Sequence, residues 1–578
     1  MRTPIALILL LAALLALGAC GDDATTTDPT GSTDTGDTGT TPVDTAEVSV
    51  DLDAALAANG DAPDDPGDGW RSEARTVVVF DGADAAFDDA DVTWADGVLT
   101  IGAPGVYELS GTLDDGRIVV DTDDDGLVVL VLAGLDAASN LNAPLAVMSA
   151  ELTLIHLADG TVNTLSDPAV YTYDDPSDDE PNACLFSKDD LVIGGDGALN
   201  IHAAANDGLA SKDGLLILGG DLLVDAADDG LRGKDCLVVR AGDITVTAGG
   251  DGLKSDEDED AGLGYILLAG GTLAVEAGAD GLQAETDVLV AGGSLILTCG
   301  GGHDASLGAD DSAKGLKAGV LVLVTDGDLQ IDAADDAVHS DNAVILGGGT
   351  LVLQTGDDGV HGEVSLEVGG GSITVSDSYE GLEAPTLTIN GGVIDVTSSD
   401  DGLNAAGGST NTMVINGGFI FVDATGDGLD CNGSVTMNGG TLLISGPSRD
   451  DNGALDSDGT FRMDGGFLAA VGSSRMAQTV SSSSSQNGLL ATFSSRSAGT
   501  LVRVETADGV GLCTFMGTRS FASLAFSSPD LVDGSGYRLL VGGTCTGTST
   551  HGLYTGGTYS GGTLLSTFAV SARVTSVR

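Results

Sequence analysis

Carboxylates that recur at one place in a repeated segment carry the clearest chemical signal in this sequence. A short motif, usually an acidic residue, a glycine and a branched apolar residue, occurs eleven times between residues 206 and 454. In neighbouring strands of a parallel sheet its acidic side chains would stack about 4.8 Å apart, where like charges repel one another. The acidic positions form two runs, Asp207, Asp229, Asp251 and Asp280, then Asp336, Asp358, Glu380 and Asp401.

Carboxylates at this spacing suit calcium, which takes oxygen ligands at roughly 2.4 Å and can lie midway between two of them. Further carboxylates directly precede several of the motifs and offer spare oxygens. For any single aspartate the alternative is a turn role, because glycine accepts positive φ and aspartate hydrogen-bonds the nearby backbone. We predict Ca²⁺ as the cofactor, with candidate ligands Asp207, Asp228, Asp229, Asp251, Asp256, Asp280, Asp335, Asp336, Asp357, Asp358, Asp400 and Asp401.

The basic residues are confined in a way that indicates a ligand surface. All six lysines lie between Lys188 and Lys317 in a chain of 578 residues. Alternation along a strand aligns Arg232, Lys254, Gln283, Lys317, His339 and His361 in one outward-facing column. We predict that an acidic polysaccharide binds this strip through Arg232, Lys254, Lys212, Lys234 and Lys317. The alternative is a set of surface ion pairs with the aspartates, each contributing roughly 0–1 kcal/mol. The two histidines are interpreted as solvent-facing polar residues.

The elements that must position these residues are short β-strands. The unit at 229–250 contains three β-rich stretches, 231–234, 236–240 and 244–248, separated by turn sequences; none has the apolar spacing of a helix. The chain has 88 glycines and only 4% aromatic residues, as expected for thin coils that stack on one another. The predicted fold is all-β, a parallel β-helix with about 22 residues per coil and a small C-terminal β module.

Changes in composition divide the chain into five segments. An apolar run ends at Leu17-Gly-Ala-Cys20, which resembles the lipobox of bacterial lipoproteins, so Cys20 would carry lipid. The predicted location is extracytoplasmic, lipid-anchored to the outer membrane or cell surface. The segments are 1–20, the signal peptide; 21–47, a disordered Thr/Asp/Gly stalk; 48–182, an N-terminal cap with irregular first coils; 183–472, the regular parallel β-helix; and 473–578, a C-terminal β module or cap.

The net charge of −67 at pH 7 argues against nucleic acid as a partner, because such binding depends on basic residues that neutralise phosphates. The charge fits a protein that attracts cations. The cysteines after Cys20 match no zinc or redox spacing, although Cys513 and Cys545 could pair in an oxidising compartment. We expect a monomer that touches the membrane only through its N-terminal lipid.

Several repeated segments closely resemble a known family, and they follow one another in an ordered series from about Thr76 to beyond Ser528. One reads Asp-Gly-Leu-Arg-Gly-Lys-Asp at 229–235, and another reads Tyr-Glu-Gly-Leu-Glu at 379–383. The others are 206–213, 250–256, 279–287, 311–318 and 452–456. The family comprises secreted carbohydrate-binding β-helix proteins of cellulose-degrading anaerobes and many other bacteria. The resemblance implies a right-handed parallel β-helix like that of pectate lyases, bound calcium, and binding of cellulose and acidic sugars such as polygalacturonate.

Three functions fit these observations. The first is a surface-anchored, non-catalytic protein that binds plant-type or acidic polysaccharide, polygalacturonate or cellulose, with calcium. The second is a calcium-dependent polysaccharide lyase, in which Arg232 or Lys254 would act as the base. The third is a structural adhesin or stalk. Trp70 and Trp94 are the only tryptophans and lie outside the regular repeats, so acidic or soluble glycans are favoured over crystalline cellulose.

Overall fold

Short parallel strands make up almost the whole of the described chain. The structure is a computed structural model that describes residues 52–173, 175, 177, 179–308 and 311–578. Its helical elements, within these ranges, are the α-helix Leu52–Ala58 and the 3-10 helix Gly69–Ser72. Through the repeats each strand pairs in parallel with the third strand after it, so three ladders run along the chain. The prediction of an all-β fold with long parallel, β-helix-like sheets is confirmed.

The first ladder carries the acidic motif and forms a sheet of sixteen strands. Its register sets Leu209 opposite Leu231 and Leu231 opposite Leu253, which are equivalent residues of successive repeats. Its strands are Val92–Ala95, Val98–Ile101, Arg117–Asp121, Leu145–Ser149, Ala183–Ser187, Asp207–Ser211, Leu231–Gly233, Leu253–Ser255, Leu282–Ala284, Leu316–Ala318, Val338–Ser340, Val360–Gly362, Leu382–Glu383, Leu403–Ala405, Leu429–Cys431 and Asp456–Ser457.

The second ladder follows the first within each repeat. Its strands are Arg75–Gly82, Gly105–Leu113, Leu127–Ala138, Leu152–Leu157, Leu191–Gly195, Gly214–Ile217, Cys236–Val239, Tyr265–Leu268, Asp287–Val290, Leu321–Val324, Ala343–Leu346, Ser365–Val368, Thr386–Ile389, Thr412–Ile415, Ser434–Met437 and Phe461–Met463. The short strand Asp84–Ala86 pairs antiparallel with its first member.

The third ladder completes each repeat and begins beside the end of Leu127–Ala138. Its strands are Val162–Ser166, Ala198–Ala203, Asp221–Ala226, Asp243–Ala248, Thr272–Ala277, Ser294–Cys299, Asp328–Ala333, Thr350–Thr355, Ser372–Asp377, Val393–Ser398, Phe419–Ala424, Thr441–Ser445 and Phe467–Gly472.

Inward-facing residues of the three ladders stack into one continuous core. Leu231 and Leu253, for example, are fully buried at successive levels. The motif glycine lies where the chain enters the first ladder, and a Cβ on Gly230 would lie 2.3 Å from Val246 Cγ1 and 2.6 Å from the Gly252 carbonyl oxygen. Gly230 and Gly252 do not have positive φ. Close packing, rather than the turn conformation considered from the sequence, therefore explains these motif glycines.

The residues after the last repeat form a C-terminal module, residues 473–578, that packs on the third ladder. Its strand Phe521–Ser527 pairs antiparallel with Phe467–Gly472 and extends that ladder. A separate core around Phe515 and Phe526 covers the outward-facing Phe421. The strands are Gly488–Arg496, Leu501–Thr506, Gly511–Met516, Phe521–Ser527, Gly536–Val541, Thr544–Cys545, Thr548–Thr550, Leu553–Thr555, Tyr559–Ser560, Thr563–Ala569 and Val574–Val577.

Two groups of sequence predictions concern the termini and the cysteines. The signal peptide, the lipidated Cys20 and the stalk at 21–47 lie outside the described residues. Within the described part of the chain, no helix is both long and apolar enough to cross a membrane. Cys513, buried in the core of the C-terminal module, and the partly exposed Cys545 are both free thiols, so the disulfide considered from the sequence is not formed.

Candidate functional site

The acidic side chains of the motif form a column at the start of the first ladder, interrupted by Lys314 between Asp280 and Asp336. The Asp251 N–H donates to Asp229 Oδ1 at 2.8 Å, and the Asp280 N–H donates to Asp251 Oδ1 at 3.0 Å. The same bond links the Asp358 N–H to Asp336 Oδ1 at 3.0 Å. One oxygen of such a carboxylate therefore holds the next coil, which leaves the second oxygen for another partner. We call the following residues the acid column: Asp207, Asp229, Asp251, Asp280, Asp336, Asp358, Glu380, Asp401 and Asp427.

A second column lies beside the acid column, formed by the residue two places after each motif glycine from Gly230 to Gly428 and by Asp456, which pairs with Asp430. The register pairs Arg232 with Lys254, Lys317 with His339, and His339 with His361, as the alternation along the strands predicts. We call this the outward column: Arg232, Lys254, Gln283, Lys317, His339, His361, Glu383, Asn404, Asp430 and Asp456. Along the chain it changes from basic residues, through histidine, to acidic residues.

Lysines of the outward column neutralise the first part of the acid column. Lys254 Nζ lies 2.7 Å from Asp251 Oδ2 and 3.2 Å from Asp229 Oδ2. Lys317 Nζ lies 2.8 Å from Asp280 Oδ2. Burial alone would lower the pKa of Lys254, but the hydrogen bond to Asp251 and the charge of Asp229 raise that pKa above its usual value. Lys254 is therefore held in its charged form.

The other basic residues predicted to contact a glycan also bind carboxylates of this chain. Arg232 donates through Nε to Asp256 Oδ1 at 3.1 Å and through Nη2 to Asp256 Oδ2 at 2.5 Å. Burial alone would lower the pKa of Arg232, but the bonds to Asp256 raise it. Two further ion pairs join Lys212 to Glu180 and Lys234 to Glu257. All five predicted contacts are thus ion-paired within the protein, as in the alternative considered from the sequence.

Histidines replace the lysines where the outward column changes sign. The rings of His339 and His361 meet edge to face with 5.2 Å between centroids. His339 Nδ1 lies 2.8 Å from Asp336 Oδ2 and its Nε2 lies 3.1 Å from Asp341 Oδ1, while Lys314 Nζ lies 3.0 Å from the same Asp336 oxygen. Burial would raise the pKa of Asp336, but the His339 hydrogen bond and the Lys314 charge bring it to about 2. His339 is buried between two carboxylates rather than solvent-facing.

Beyond the histidines the two columns are acidic and lack basic partners. Among the described residues, no Lys, Arg or His forms an ion pair with Asp401, Asp427, Asp430 or Asp456. Burial, together with the charge of Asp427, raises the pKa of Asp401 to about 7. Burial and the charge of Asp456 raise the pKa values of Asp427 and Asp430 to about 6. These carboxyls therefore bind protons close to neutral pH unless another cation replaces the protons.

One predicted calcium-ligand group contains a buried oxygen that accepts no hydrogen bond. Asp207, Asp228 and Asp229 bring carboxylate oxygens within 4.8 Å of one another. Asp207 is 3% exposed, and its Oδ2 accepts no hydrogen bond; Arg232 Nη1 lies 3.7 Å away. Burial, then the charge of Asp229, raises the pKa of Asp207 to about 7. An oxygen-only ligand set whose buried oxygen accepts no hydrogen bond fits a calcium ion.

The remaining predicted ligands are distributed unevenly. Asp335, Asp336 and Asp357 also lie within 4.8 Å of one another, but Lys314 already binds two of them. Asp358 meets His361 and Glu383 instead of further aspartates. No carboxylate-only group of this kind among the described residues includes Asp251, Asp256, Asp280, Asp400 or Asp401.

Two features of the site were missed by sequence reasoning. Asp427, Asp430 and Asp456 form a carboxylate group within 4.8 Å that has no basic neighbour among the described residues; extending the outward column beyond His361 would have found it. Tyr379 stands where other repeats carry an aspartate and is 48% exposed. Its hydrogen bond to Asp400 raises its pKa to about 12. Aligning the repeats would have revealed this aromatic residue among carboxylates.

Comparisons with known proteins agree with a carbohydrate-related site. A protein-family model described as "Carbohydrate-binding domain-containing protein" matches residues 95–359 and 360–511. A protein of the same description from Acetivibrio thermocellus is 38% identical over 155 residues, which are 27% of this chain and 54% of the relative. This chain thus spans about half the length of that relative.

A solved structure, the gadolinium derivative of the polysaccharide lyase-like protein from C. thermocellum, is 28% identical and covers 51% of this chain and 97% of its own, with a TM-score of 0.37. The residues matched by the family model make up more than half of the 578-residue chain. The chain therefore belongs to the family of carbohydrate-binding domain-containing proteins.

Proposed function

We propose that this protein is a non-catalytic module that binds acidic polysaccharide through calcium held where its acid column and outward column meet. The observation that carries the proposal is the group Asp427, Asp430 and Asp456, whose carboxylates lie within 4.8 Å and have no basic partner among the described residues. Calcium takes six to eight oxygen ligands, so three carboxylates leave positions open on the outer side. Uronate carboxylates can fill these positions, which joins two polyanions that would otherwise repel each other.

The protonation of this region supports a cation as its natural partner. The pKa values of about 6 for Asp427 and Asp430 reflect burial and mutual repulsion, and a divalent ion relieves both by replacing the protons. The group of Asp207, Asp228 and Asp229 is a second candidate, supported by Asp207 Oδ2, which is buried and accepts no hydrogen bond. Calcium bound at either place would stabilise the folded state, because its ligands come together only in that state.

A sugar contact beside the acid column is supported by Tyr379. Its ring is 48% exposed, and its hydroxyl hydrogen-bonds Asp400 next to the column. An aromatic face of this kind packs against the apolar side of a sugar ring, while the hydroxyl remains available for hydrogen bonding. We assign Tyr379 the role of positioning a sugar unit next to the bound ion.

The strip of basic residues takes a different role in this proposal. Lys254 and Lys317 hold acid-column carboxylates, and Arg232 holds Asp256. A glycan carboxylate would have to compete with carboxylates of the protein itself for these cations. We therefore assign Arg232, Lys254 and Lys317, with Lys212 and Lys234, to neutralising the neighbouring carboxylates.

The lyase alternative is disfavoured by the same ion pairs. A base must be able to release its proton near the working pH, but the pKa values of Lys254 and Arg232 are raised by their carboxylate partners. Neither residue has the environment of a base.

The proposal also covers the handedness and length of the coils, the oligomeric state and the cellular location. We infer that the coils are right-handed, because parallel strands in one sheet are almost always connected in that sense. We also infer about 22 residues per coil, the spacing between Asp229 and Asp251. The protein would be monomeric and would be held at the outer membrane or cell surface by lipid on Cys20, within reach of extracellular glycans.

Binding of polygalacturonate by the full chain, with calcium and with EDTA, tests the proposal. The double variant Asp427→Asn with Asp430→Asn should weaken calcium-dependent binding roughly tenfold or more, because it removes two ligand charges. The matched control is Asp221→Asn with Asp243→Asn, a stacked and exposed pair on the third ladder, which should bind like the parent. Equal binding in EDTA and in calcium, or an unaffected Asp427/Asp430 variant, would show that the proposal is wrong.

A further inference from the structure

The C-terminal module carries the opposite charge to the rest of the protein. Residues 473–578 contain seven arginines and four acidic residues, whereas the whole chain has a net charge of −67. The acidic residues are Glu505, Asp508, Asp530 and Asp533. From the composition of the whole chain, this module would be expected to be acidic, but it carries more basic than acidic residues.

Several of these arginines are not used in ion pairs. Arg503 and Arg538 bind Glu505, and Arg519 binds Asp423. By contrast, the side chains of Arg475, Arg496 and Arg578 form no ion pair or hydrogen bond with any described residue, the terminal carboxylate included. The Arg496 Nε is also buried without a partner. The module therefore holds guanidinium groups that are not paired with any described residue.

Arg475 and Arg578, both exposed, line one cavity of about 580 Å³ at the edge of the module's sheet. Arg475 lies on the segment after the last strand of the third ladder, and Arg578 follows the edge strand Val574–Val577. The hydroxyl-bearing residues Ser474, Thr492 and Ser576 and the apolar residues Leu490 and Phe493 also line the cavity. No acidic side chain is among the lining residues. We call this the arginine cavity.

We propose that the arginine cavity binds the carboxylate of an acidic sugar without calcium, as a second glycan site separate from the acid column. Guanidinium groups present paired N–H donors that match a carboxylate. The hydroxyls suit the polar edge of a sugar ring, and Phe493 suits its apolar face. The volume lies in the range of small-molecule sites, about 300–1,000 Å³. The proposal rests on the proposed function only in taking an acidic glycan as the ligand class.

The two sites would bind the same acidic polymer, one through a bridging cation and the other through arginine side chains. At the acid column a polyanion needs a bridging cation, whereas at the arginine cavity its carboxylates meet unpaired positive charge. A polymer long enough to reach both would bind more tightly than at either site alone, because the second contact becomes intramolecular.

Titration of the full chain with trigalacturonate in EDTA tests this proposal apart from the calcium-dependent site. The variant Arg475→Gln with Arg578→Gln should weaken binding roughly tenfold or more, because the carboxylate loses its charged donors. The matched control is Arg449→Gln with Arg462→Gln, two exposed arginines paired with Asp451 and Asp464, and it should change binding by less than about twofold. Arg475→Lys keeps the charge but not the paired donors and should give an intermediate affinity.

The outcomes separate the glycan from other ligands. Galactotriose, the uncharged counterpart, should not compete, and added salt should weaken trigalacturonate binding. The proposal is overturned if trigalacturonate does not bind in EDTA, or if the double variant binds it like the parent while melting normally. It is also overturned if anionic phosphatidylglycerol vesicles bind in an Arg475-dependent way and trigalacturonate does not compete with them.

Discussion

Repulsion between stacked carboxylates is relieved in one way in the coils that contain lysine and in another way in the coils that lack it. Between Asp229 and Lys317 the outward-facing oxygens of the acid column meet Lys254 or Lys317. From Asp401 to Asp456 the same backbone geometry continues, but no basic residue among the described residues pairs with the column carboxylates Asp401, Asp427, Asp430 and Asp456. The backbone therefore sets the stacking of the carboxylates, while the outward column decides whether the neutralising cation is part of the chain.

The difference has a functional consequence. A lysine is a permanent counter-ion, so the first group of coils is neutralised under all conditions. The second group binds protons near neutral pH or an ion from solution, and its state depends on the medium. The lysine-free coils are therefore the region in which calcium and an acidic glycan can act together. The following predictions test this division.

Removal of calcium should give the largest effect, and the coils held by Lys254 and Lys317 should not show it. An ion present at 100 times its dissociation constant stabilises the folded state by about 2.7 kcal/mol. Hydrogen exchange of the full chain should show faster exchange in EDTA at 401–431, with little change at 253–284. Equal changes in both segments, or no change in either, would contradict the division.

Replacing Lys254 should convert a lysine-containing coil into one that requires calcium. Lys254→Met leaves Asp229 and Asp251 buried without their ammonium partner, and we expect a loss of about 1–3 kcal/mol in the free energy of unfolding. Calcium should restore part of this loss in urea titrations. Lys188→Met is the control, because Lys188 forms an exposed pair with Glu180 and should cost no more than about 1 kcal/mol. Equal losses for the two variants would refute the comparison.

Without calcium, stability should fall as pH rises from about 4 to about 7. Folded-state pKa values of about 7 for Asp401 and about 6 for Asp427 and Asp430 exceed the ordinary value of 3.8. The folded protein therefore binds more protons than the unfolded chain in this window, so deprotonation favours unfolding. Melting temperatures across this range should show a slope in EDTA that is smaller in calcium. The variant Asp401→Asn with Asp427→Asn should also have a smaller slope, and a parent-like slope would exclude these groups as its source.

Adding a lysine to the lysine-free coils should give the smallest effect. Asn404 lies in the outward column, where Lys254 and Lys317 stand in earlier coils, and its Nδ2 donates to Glu380. Asn404→Lys should reduce the rise in melting temperature that calcium produces, with a direct gain of roughly 0–1 kcal/mol. Thr436→Lys, on the second ladder, is the control and should leave the calcium response unchanged. A full calcium response in Asn404→Lys would mean that the outward column does not govern the ion requirement.

Much of the fold and part of the site could be predicted because the repeat is regular. Alternation along a strand and a constant spacing place Arg232 beside Lys254 and His339 beside His361 without reference to any distant contact. The buried position of His339 could not be predicted in this way. Its exposure depends on the carboxylates of Asp336 and Asp341, which enclose the ring from two sides.

The sequence by itself determined the parallel stacking, the acid column and the direction in which each motif side chain points, since these depend on local periodicity. Only the tertiary structure decided which charges meet. Lys212 pairs with Glu180, and Arg232 pairs with Asp256, while Arg475 remains without a partner among the described residues. Ion pairing depends on distances of a few ångströms between side chains of different coils, and spacing along a chain does not specify such distances.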